Sequence, residues 1–178
     1  MNSTQRKVEL TAGISALIPG LVITFLPQHT EQVGLTAFGL WAVIAGLAVV
    51  TLLWRDSDSS PWRRVPWVIT IFAGIAALMF PQTPRMLGAL VGAWAIAFGM
   101  TQFIARFRSA GTPSDATVSV FIPVLSVVFG FAQLAMPTNL VVNVGVLGAY
   151  FIVIGVWLVI AALSPRTAAT DTKKVETE

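Results

Sequence analysis

The sequence lacks cysteine and carries little charge. Its 178 residues include no cysteine, one histidine and only 11% charged residues. The absence of cysteine excludes disulfide bonds, thiolate metal ligands and cysteine nucleophiles. A soluble domain usually carries about 25% charged residues, so this chain lacks the polar surface that a water-soluble fold of its size requires. With 56% hydrophobic residues and a mean hydropathy of +0.80, the composition predicts a membrane domain.

Apolar runs account for most of the chain. A helix needs about 20 apolar residues to span the hydrocarbon core of a bilayer, and six segments approach that length without a charged residue deep inside them. We therefore predict an all-α, polytopic membrane domain over residues 1–163 and a disordered cytoplasmic tail over residues 164–178. The polar start resembles a signal peptide, but the apolar run after it is too long, so we interpret it as a retained first helix. The predicted spans are 8–26, 31–54, 65–80, 84–106, 117–136 and 138–163.

The basic residues indicate how the spans are oriented. Ten of the eleven Lys and Arg residues fall in the N-terminal segment, in the long connections after the second and fourth spans, or in the tail, whereas Arg85 falls on the opposite side. The positive-inside rule then places both termini in the cytoplasm. In the first long connection Arg63 and Arg64 follow Trp62, a combination typical of an interfacial anchor that attracts anionic lipid headgroups.

A sequence pattern recurs three times. The first span of each pair ends in Gly-x6-Pro, and the second carries Gly-x-aromatic-x4-Gly, with 11 or 12 residues from the proline to the next glycine. Three matches in register indicate an internal repeat, so the six spans form three helical hairpins in parallel orientation, unlike the inverted repeats of many transporters. The motif residues are Gly20, Pro27, Gly39, Trp41 and Gly46 in the first hairpin, Gly74, Pro81, Gly92, Trp94 and Gly99 in the second, and Gly130, Pro137, Gly148, Tyr150 and Gly155 in the third.

The chemistry of the motif residues predicts structural roles. Proline ends each first helix at the outer membrane edge, and Thr30, Thr83 and Thr138 are placed to cap the returning helices. Glycines seven residues apart lie on one helix face and let a neighbouring backbone approach closely, which is a main source of helix association in lipid. We expect the aromatic residue to fill space between hairpins. The alternative is that the glycines line a substrate path.

Candidate functional side chains are few. No ionisable residue lies deep in a span, where a transporter or pump normally keeps one, and the sequence contains no Ser/His/Asp set, HExxH motif or phosphate-binding loop. We therefore predict no catalytic residue, metal site, cofactor or enzyme activity. Gln133 and Asn143 are the polar candidates within the membrane, either joined by an inter-helix hydrogen bond or lining a pore or partner site. We interpret His29, in the first outer turn, as a solvated residue, with sensing of external pH as the alternative.

The three hairpins and their two motifs, between about Val8 and Leu163, resemble the HdeD family of small bacterial membrane proteins. The resemblance implies an inner-membrane protein with a role in resistance to acid or envelope stress, and it carries over no catalytic residue. The expected partners are membrane lipid and either further copies of the chain or another membrane protein, with no nucleic acid. Two alternatives stay open: a channel or small-solute transporter, and an accessory subunit of a membrane protein complex.

Overall fold

A computed structural model describes residues 3–26, 30–56, 60–81, 83–108, 116–136 and 140–164. Within these ranges the chain forms six α-helices and one 3-10 helix, and no strand, which confirms the all-α prediction. The helices are α1 (Ser3–Phe25), α2 (Glu31–Trp54), α3 (Val65–Met79), α4 (Pro84–Arg108), α5 (Ala116–Ala135) and α6 (Leu140–Leu163), and the 3-10 helix covers Pro61–Arg63, just before α3.

The helix bounds follow the apolar runs closely except at the first helix. α1 begins at Ser3, five residues before the predicted start, whereas the bounds of the other helices lie within two residues of the prediction. The added turn of α1 carries Arg6 and Lys7, whose side chains are exposed. Charged side chains there extend a helix beyond the hydrocarbon region without being buried in it. α1 also continues through Pro19 without a break.

Two of the three predicted threonine caps are confirmed. The Thr30 hydroxyl accepts a hydrogen bond from the backbone N–H of Val33 at 3.3 Å, and the Thr83 hydroxyl accepts one from the backbone N–H of Met86 at 3.2 Å. Each bond satisfies one of the N–H groups that have no partner in the first turn of a helix. α3 ends at Met79, shortly before Pro81. Pro27, His29, Pro137, Thr138 and the tail from residue 165 onwards lie outside the described residues.

The helices have the length and surface of membrane spans. By length and composition α1, α2, α4, α6 and the segment Pro61–Met79 can each cross a bilayer, and α5 contributes the apolar stretch Val120–Ala135. Large apolar side chains point outward, as at Ile18, Ile44 and Phe72, which are each more than 60% exposed. Water does not favour such a surface, but lipid tails match it. The chain is therefore a polytopic helical membrane protein.

The six helices close into a ring. The most extensive contacts join α2 to α3, α4 to α5, and the first helix α1 to the last helix α6. Contacts within the hairpins are less extensive than these; they join α1 to α2, α3 to α4, and α5 to α6. α2, α4 and α6 also contact one another, so the second helix of each hairpin lies near the centre. The hairpin is thus the repeat in sequence, while the closest packing lies between consecutive hairpins.

Candidate functional site

Glycines of the repeat lie where the helices of consecutive hairpins cross. Between α4 and α5, a Cβ atom added to Gly92 would lie 2.9 Å from the carbonyl oxygen of Gly130, and one added to Gly130 would lie 2.7 Å from that of Gly92. Between α2 and α3, a Cβ atom on Gly74 would lie 2.9 Å from the carbonyl oxygen of Gly39. Two backbones meet at each crossing, so a side chain of any size would push them apart.

The second glycine of each aromatic motif makes a further crossing nearer the other end of the same helix pair. A Cβ atom on Gly99 would lie 2.6 Å from the carbonyl oxygen of Pro123, and one on Gly155 would lie 2.9 Å from that of Gly13. A Cβ atom on Gly46 would lie 3.2 Å from the carbonyl oxygen of Trp67. These three contacts occupy equivalent positions in the repeat, and the contact of Gly155 closes the ring between α6 and α1.

The centre of the ring is filled by apolar side chains. The three central helices, α2, α4 and α6, each contribute fully buried apolar side chains. Leu35, Phe38, Val91, Val144 and Leu147 are all 0% exposed and belong to one continuous core. Apolar side chains packed this closely offer neither the space nor the hydrogen-bonding groups that a row of water molecules needs. The arrangement therefore disfavours a water-filled path along the axis.

The aromatic residues of the three repeats meet in this core. The rings of Trp41 and Trp94 lie 5.6 Å apart in an edge-to-face arrangement, and those of Trp94 and Tyr150 lie 6.3 Å apart in the same arrangement. Phe151 closes the group, because its ring lies 4.6 Å from that of Trp41. Edge-to-face pairs stabilise a core by about 0.5–1.5 kcal/mol each beyond the burial of area. The third motif position thus joins the hairpins at the centre of the molecule.

Two of these rings are held by hydroxyl groups that sequence reasoning missed. The Trp94 indole N–H donates to the Thr70 hydroxyl at 3.0 Å, and the Thr70 hydroxyl donates in turn to the backbone carbonyl of Pro66. In the next repeat the Ser126 and Tyr150 hydroxyl oxygens lie 2.8 Å apart. The Ser126 hydroxyl donates to a carbonyl of its own helix, so Tyr150 is the donor in that pair. Both pairs are separated by 24 residues.

The first repeat has lost this hydrogen bond. Thr70 and Ser126 each lie four residues before the first glycine of their repeat, and the residue at that position in the first repeat is Ala16. The indole nitrogen Nε1 of Trp41 is buried and has no hydrogen-bond partner among the described residues. An unpaired buried donor costs about 1–3 kcal/mol. A comparison of the repeats that starts four residues before the first glycine shows a hydroxyl residue in the second and third repeats and Ala16 in the first.

Gln133 and Asn143 are brought together between α5 and α6. Both side chains are 2% exposed, and the Gln133 amide nitrogen Nε2 donates to the backbone carbonyl of Asn143 at 3.1 Å. This bond joins α5 to α6 through the side chain of Gln133 and the backbone of Asn143. The side-chain oxygens, Oε1 of Gln133 and Oδ1 of Asn143, are buried and have no hydrogen-bond partner within the ranges that the structure describes. The pair therefore supplies one inter-helix bond at the cost of two buried unpaired acceptors.

Candidate metal ligands do not gather in the described part of the chain. No group of three or more His, Cys, Asp or Glu side chains lies close enough there to hold a metal ion. The buried polar side chains of the core, Thr70, Ser126, Gln133 and Asn143, are neutral hydrogen-bonding groups. The arrangement provides close backbone contacts between repeats and a core that is mainly apolar.

These features define a class: a helical membrane protein in which three hairpins of one orientation close around an apolar core. A family described as a short repeat of unknown function (DUF308) matches residues 68–135. The match begins in α3 and ends with α5, so it contains the whole crossing of α4 with α5. No curated protein matches the chain, and no solved structure matches it.

Proposed function

We propose that this chain is a non-enzymatic protein of a bacterial inner membrane, of the HdeD type, that contributes to resistance to acid or envelope stress. The observation that carries the proposal is the threefold glycine and aromatic repeat. HdeD proteins carry the short repeat that matches residues 68–135. The lack of catalytic motifs in the sequence supports a role that depends on packing and on contacts with lipid or protein partners.

A channel or small-solute transporter is the alternative, and the central core counts against a route along the ring axis. Leu35, Val91 and Val144, one from each central helix, are fully buried apolar side chains of the continuous core. Gln133 and Asn143 are the observation in favour of the alternative, because buried amide groups are expensive within a membrane. Uptake or efflux by proteoliposomes that contain the purified chain would support transport over the structural role.

A strain that lacks the gene provides the test of the stress role. We expect lower survival of this strain than of its parent under acid or envelope stress, with survival restored by a plasmid that carries the gene. The gene with Gly130→Ala should restore survival poorly, because that side chain would meet the Gly92 carbonyl. Gly145→Ala is the matched control, because a Cβ atom there meets no atom within 4 Å. Unchanged survival of the deletion strain under both stresses would contradict the proposal.

The proposed topology places both termini in the cytoplasm and the proline turns outside. The natural chain lacks cysteine, so single cysteines can be introduced and labelled without background. Arg85→Cys lies on the proposed outer side and Ser164→Cys on the inner side, and both side chains are exposed. An impermeant maleimide added to intact spheroplasts should label the first variant and leave the second unlabelled until the membrane is opened. The reverse pattern would invert the topology.

Purification of the chain from native membranes separates an autonomous protein from an accessory subunit of a complex. The proposal predicts that the chain is recovered alone or as a homo-oligomer, together with lipid. Stoichiometric recovery of a second membrane protein in mild detergent would favour the accessory role.

A further inference from the structure

We propose that the basic end of the bundle holds the phosphate group of an anionic phospholipid in a clamp formed by two arginines and two tryptophans. The clamp consists of Trp54, Trp62, Arg64 and Arg108. It lies where α2 ends, where the 3-10 helix leads into α3, and where α4 ends. The proposal requires only that the chain lies in a membrane, and it does not depend on which side this end faces or on the stress role.

Each arginine of the clamp lies over a tryptophan ring. The guanidinium carbon of Arg108 is 4.5 Å from the centre of the Trp62 ring, and that of Arg64 is 5.6 Å from the centre of the Trp54 ring. Arg64 follows Trp62 by two residues, so the two pairs are neighbours along the chain. The 3-10 helix contacts both α3 and α4, which fixes Trp62 between the ends of the two helices.

Contact with a tryptophan ring restrains each guanidinium group. A cation held against a ring face uses the flat side of the guanidinium, whereas its N–H groups point outward in the plane of the group. Planar, pre-oriented N–H pairs match the oxygens of a phosphate in a two-point interaction.

The surroundings favour a phospholipid over a soluble phosphate compound. Trp54 is 68% exposed and Phe107 is 76% exposed, so apolar rings flank the clamp on the outside of the bundle. Tryptophan at this depth marks the boundary between headgroups and tails. A headgroup bound at the clamp therefore brings its acyl chains against these rings, which a soluble phosphate cannot do.

Charge at this end is also complementary to an anionic lipid. Seven basic residues are described there, together with two acidic ones, Glu9 and Asp56. The opposite end has Arg85 and Glu31. Anionic headgroups are thus attracted to one end of the bundle and receive no comparable attraction at the other. The basic residues of this end are Arg6, Lys7, Arg55, Arg63, Arg64, Arg106 and Arg108.

Native mass spectrometry of the full chain in detergent, titrated with phosphatidylglycerol, tests the clamp. Arg64→Gln and Arg108→Gln should each weaken binding of the first lipid about fivefold, because each removes charge-assisted hydrogen bonds to the phosphate. The double variant should weaken binding more than either single change, and a deviation from the product of the two effects is expected because both arginines bind one phosphate. Arg108→Lys should fall short of the parent, because lysine keeps the charge but loses the planar donor pair.

Arg55→Gln is the matched control at the same end, because Arg55 is exposed and lies over no ring in the described contacts. Binding within about twofold of the parent is expected for it and for Arg85→Gln. Helix content and melting temperature of all variants should equal those of the parent, which separates lost binding from lost folding.

Three results would overturn the clamp. In the first, Arg55→Gln loses as much affinity as the clamp variants, which points to attraction by net charge alone. In the second, phosphatidylcholine binds as tightly as phosphatidylglycerol with the same dependence on the variants. In the third, inorganic phosphate at the concentration of the lipid displaces it, which identifies the site as one for soluble phosphate.

Discussion

A hydroxyl group added at position 16 should stabilise the protein by giving the Trp41 indole its missing partner. Ala16 is 1% exposed and occupies the position that Thr70 and Ser126 hold in the other repeats. Ala16→Ser adds one oxygen, which can donate to the carbonyl of its own helix and accept from Trp41, as the Thr70 hydroxyl does with Pro66 and Trp94. The first repeat would then carry the same interaction as the second and third.

The size of the effect follows from three terms. Hydrogen bonds between membrane helices contribute about 0.6 kcal/mol on average and about 1.7 kcal/mol at most. Pairing the buried Trp41 Nε1 atom also removes part of a desolvation cost of about 1–3 kcal/mol. Serine is less favourable than alanine within a helix by about 0.5 kcal/mol. We expect a net gain of about 1 kcal/mol, which raises the melting temperature of a chain of this size by about 2–4 °C.

Thermal unfolding of the purified protein in one detergent, followed by circular dichroism, measures this gain. The matched background is Trp41→Phe, which keeps an aromatic ring and lacks the N–H group. Ala16→Ser should have no stabilising effect there, whereas Thr70→Val in the parent should lower stability by about 1–2 kcal/mol, because it leaves the Trp94 N–H unpaired. A stabilisation that persists in the Trp41→Phe background, or a lowered melting temperature in the parent, would refute the reasoning.

Three further predictions concern the crossings, the buried amides and the outer turn. Gly130→Ala should lower the free energy of unfolding by about 1–3 kcal/mol, because its methyl group overlaps the Gly92 carbonyl. Gly145→Ala should be neutral or stabilising. Equal shifts of the melting temperature in the two variants would contradict a close crossing at Gly130. Gln133→Met should be neutral or stabilise the protein by up to about 1 kcal/mol, because it removes the buried unpaired Oε1 atom along with one hydrogen bond. A loss of stability above about 2 kcal/mol in chemical denaturation would mean that this oxygen has a partner. His29→Ala should support survival at acid pH as well as the parent does, and a selective loss at low pH would favour the sensor alternative.

The sequence predicted the helices and the repeat better than it predicted how the repeats join. Apolar runs locate the spans because a bilayer imposes their length, and Thr30 and Thr83 cap helices because of local chemistry. The glycine spacing identifies the close-packed face of each helix, but the same spacing occurs in every hairpin and cannot say which helix lies opposite. That choice is made in three dimensions, where Gly92 meets Gly130 of the next hairpin.

The hydroxyl partners and the arginine clamp were harder to find for a different reason. Threonine and serine within a membrane helix usually bond to their own backbone, so Thr70 and Ser126 gave no sign of a second partner. Comparison of the repeats at equal distance from the first glycine would have singled them out. The clamp joins Arg108 to Trp62, and these residues lie on opposite sides of two spans in the sequence. Only the folded ring makes them neighbours.

The contact between α1 and α6 that closes the ring must also form later during synthesis than the other two crossings. During synthesis α2 can meet α3, and α4 can meet α5, soon after the second helix of each pair has been made. α1 must wait for α6, and at about 5–20 residues per second the interval between Gly13 and Gly155 is on the order of ten seconds. During this interval the glycine face of α1 is open to α6 of another copy. Closure of the ring within one chain therefore competes with domain swapping, in which two chains exchange their α6 helices.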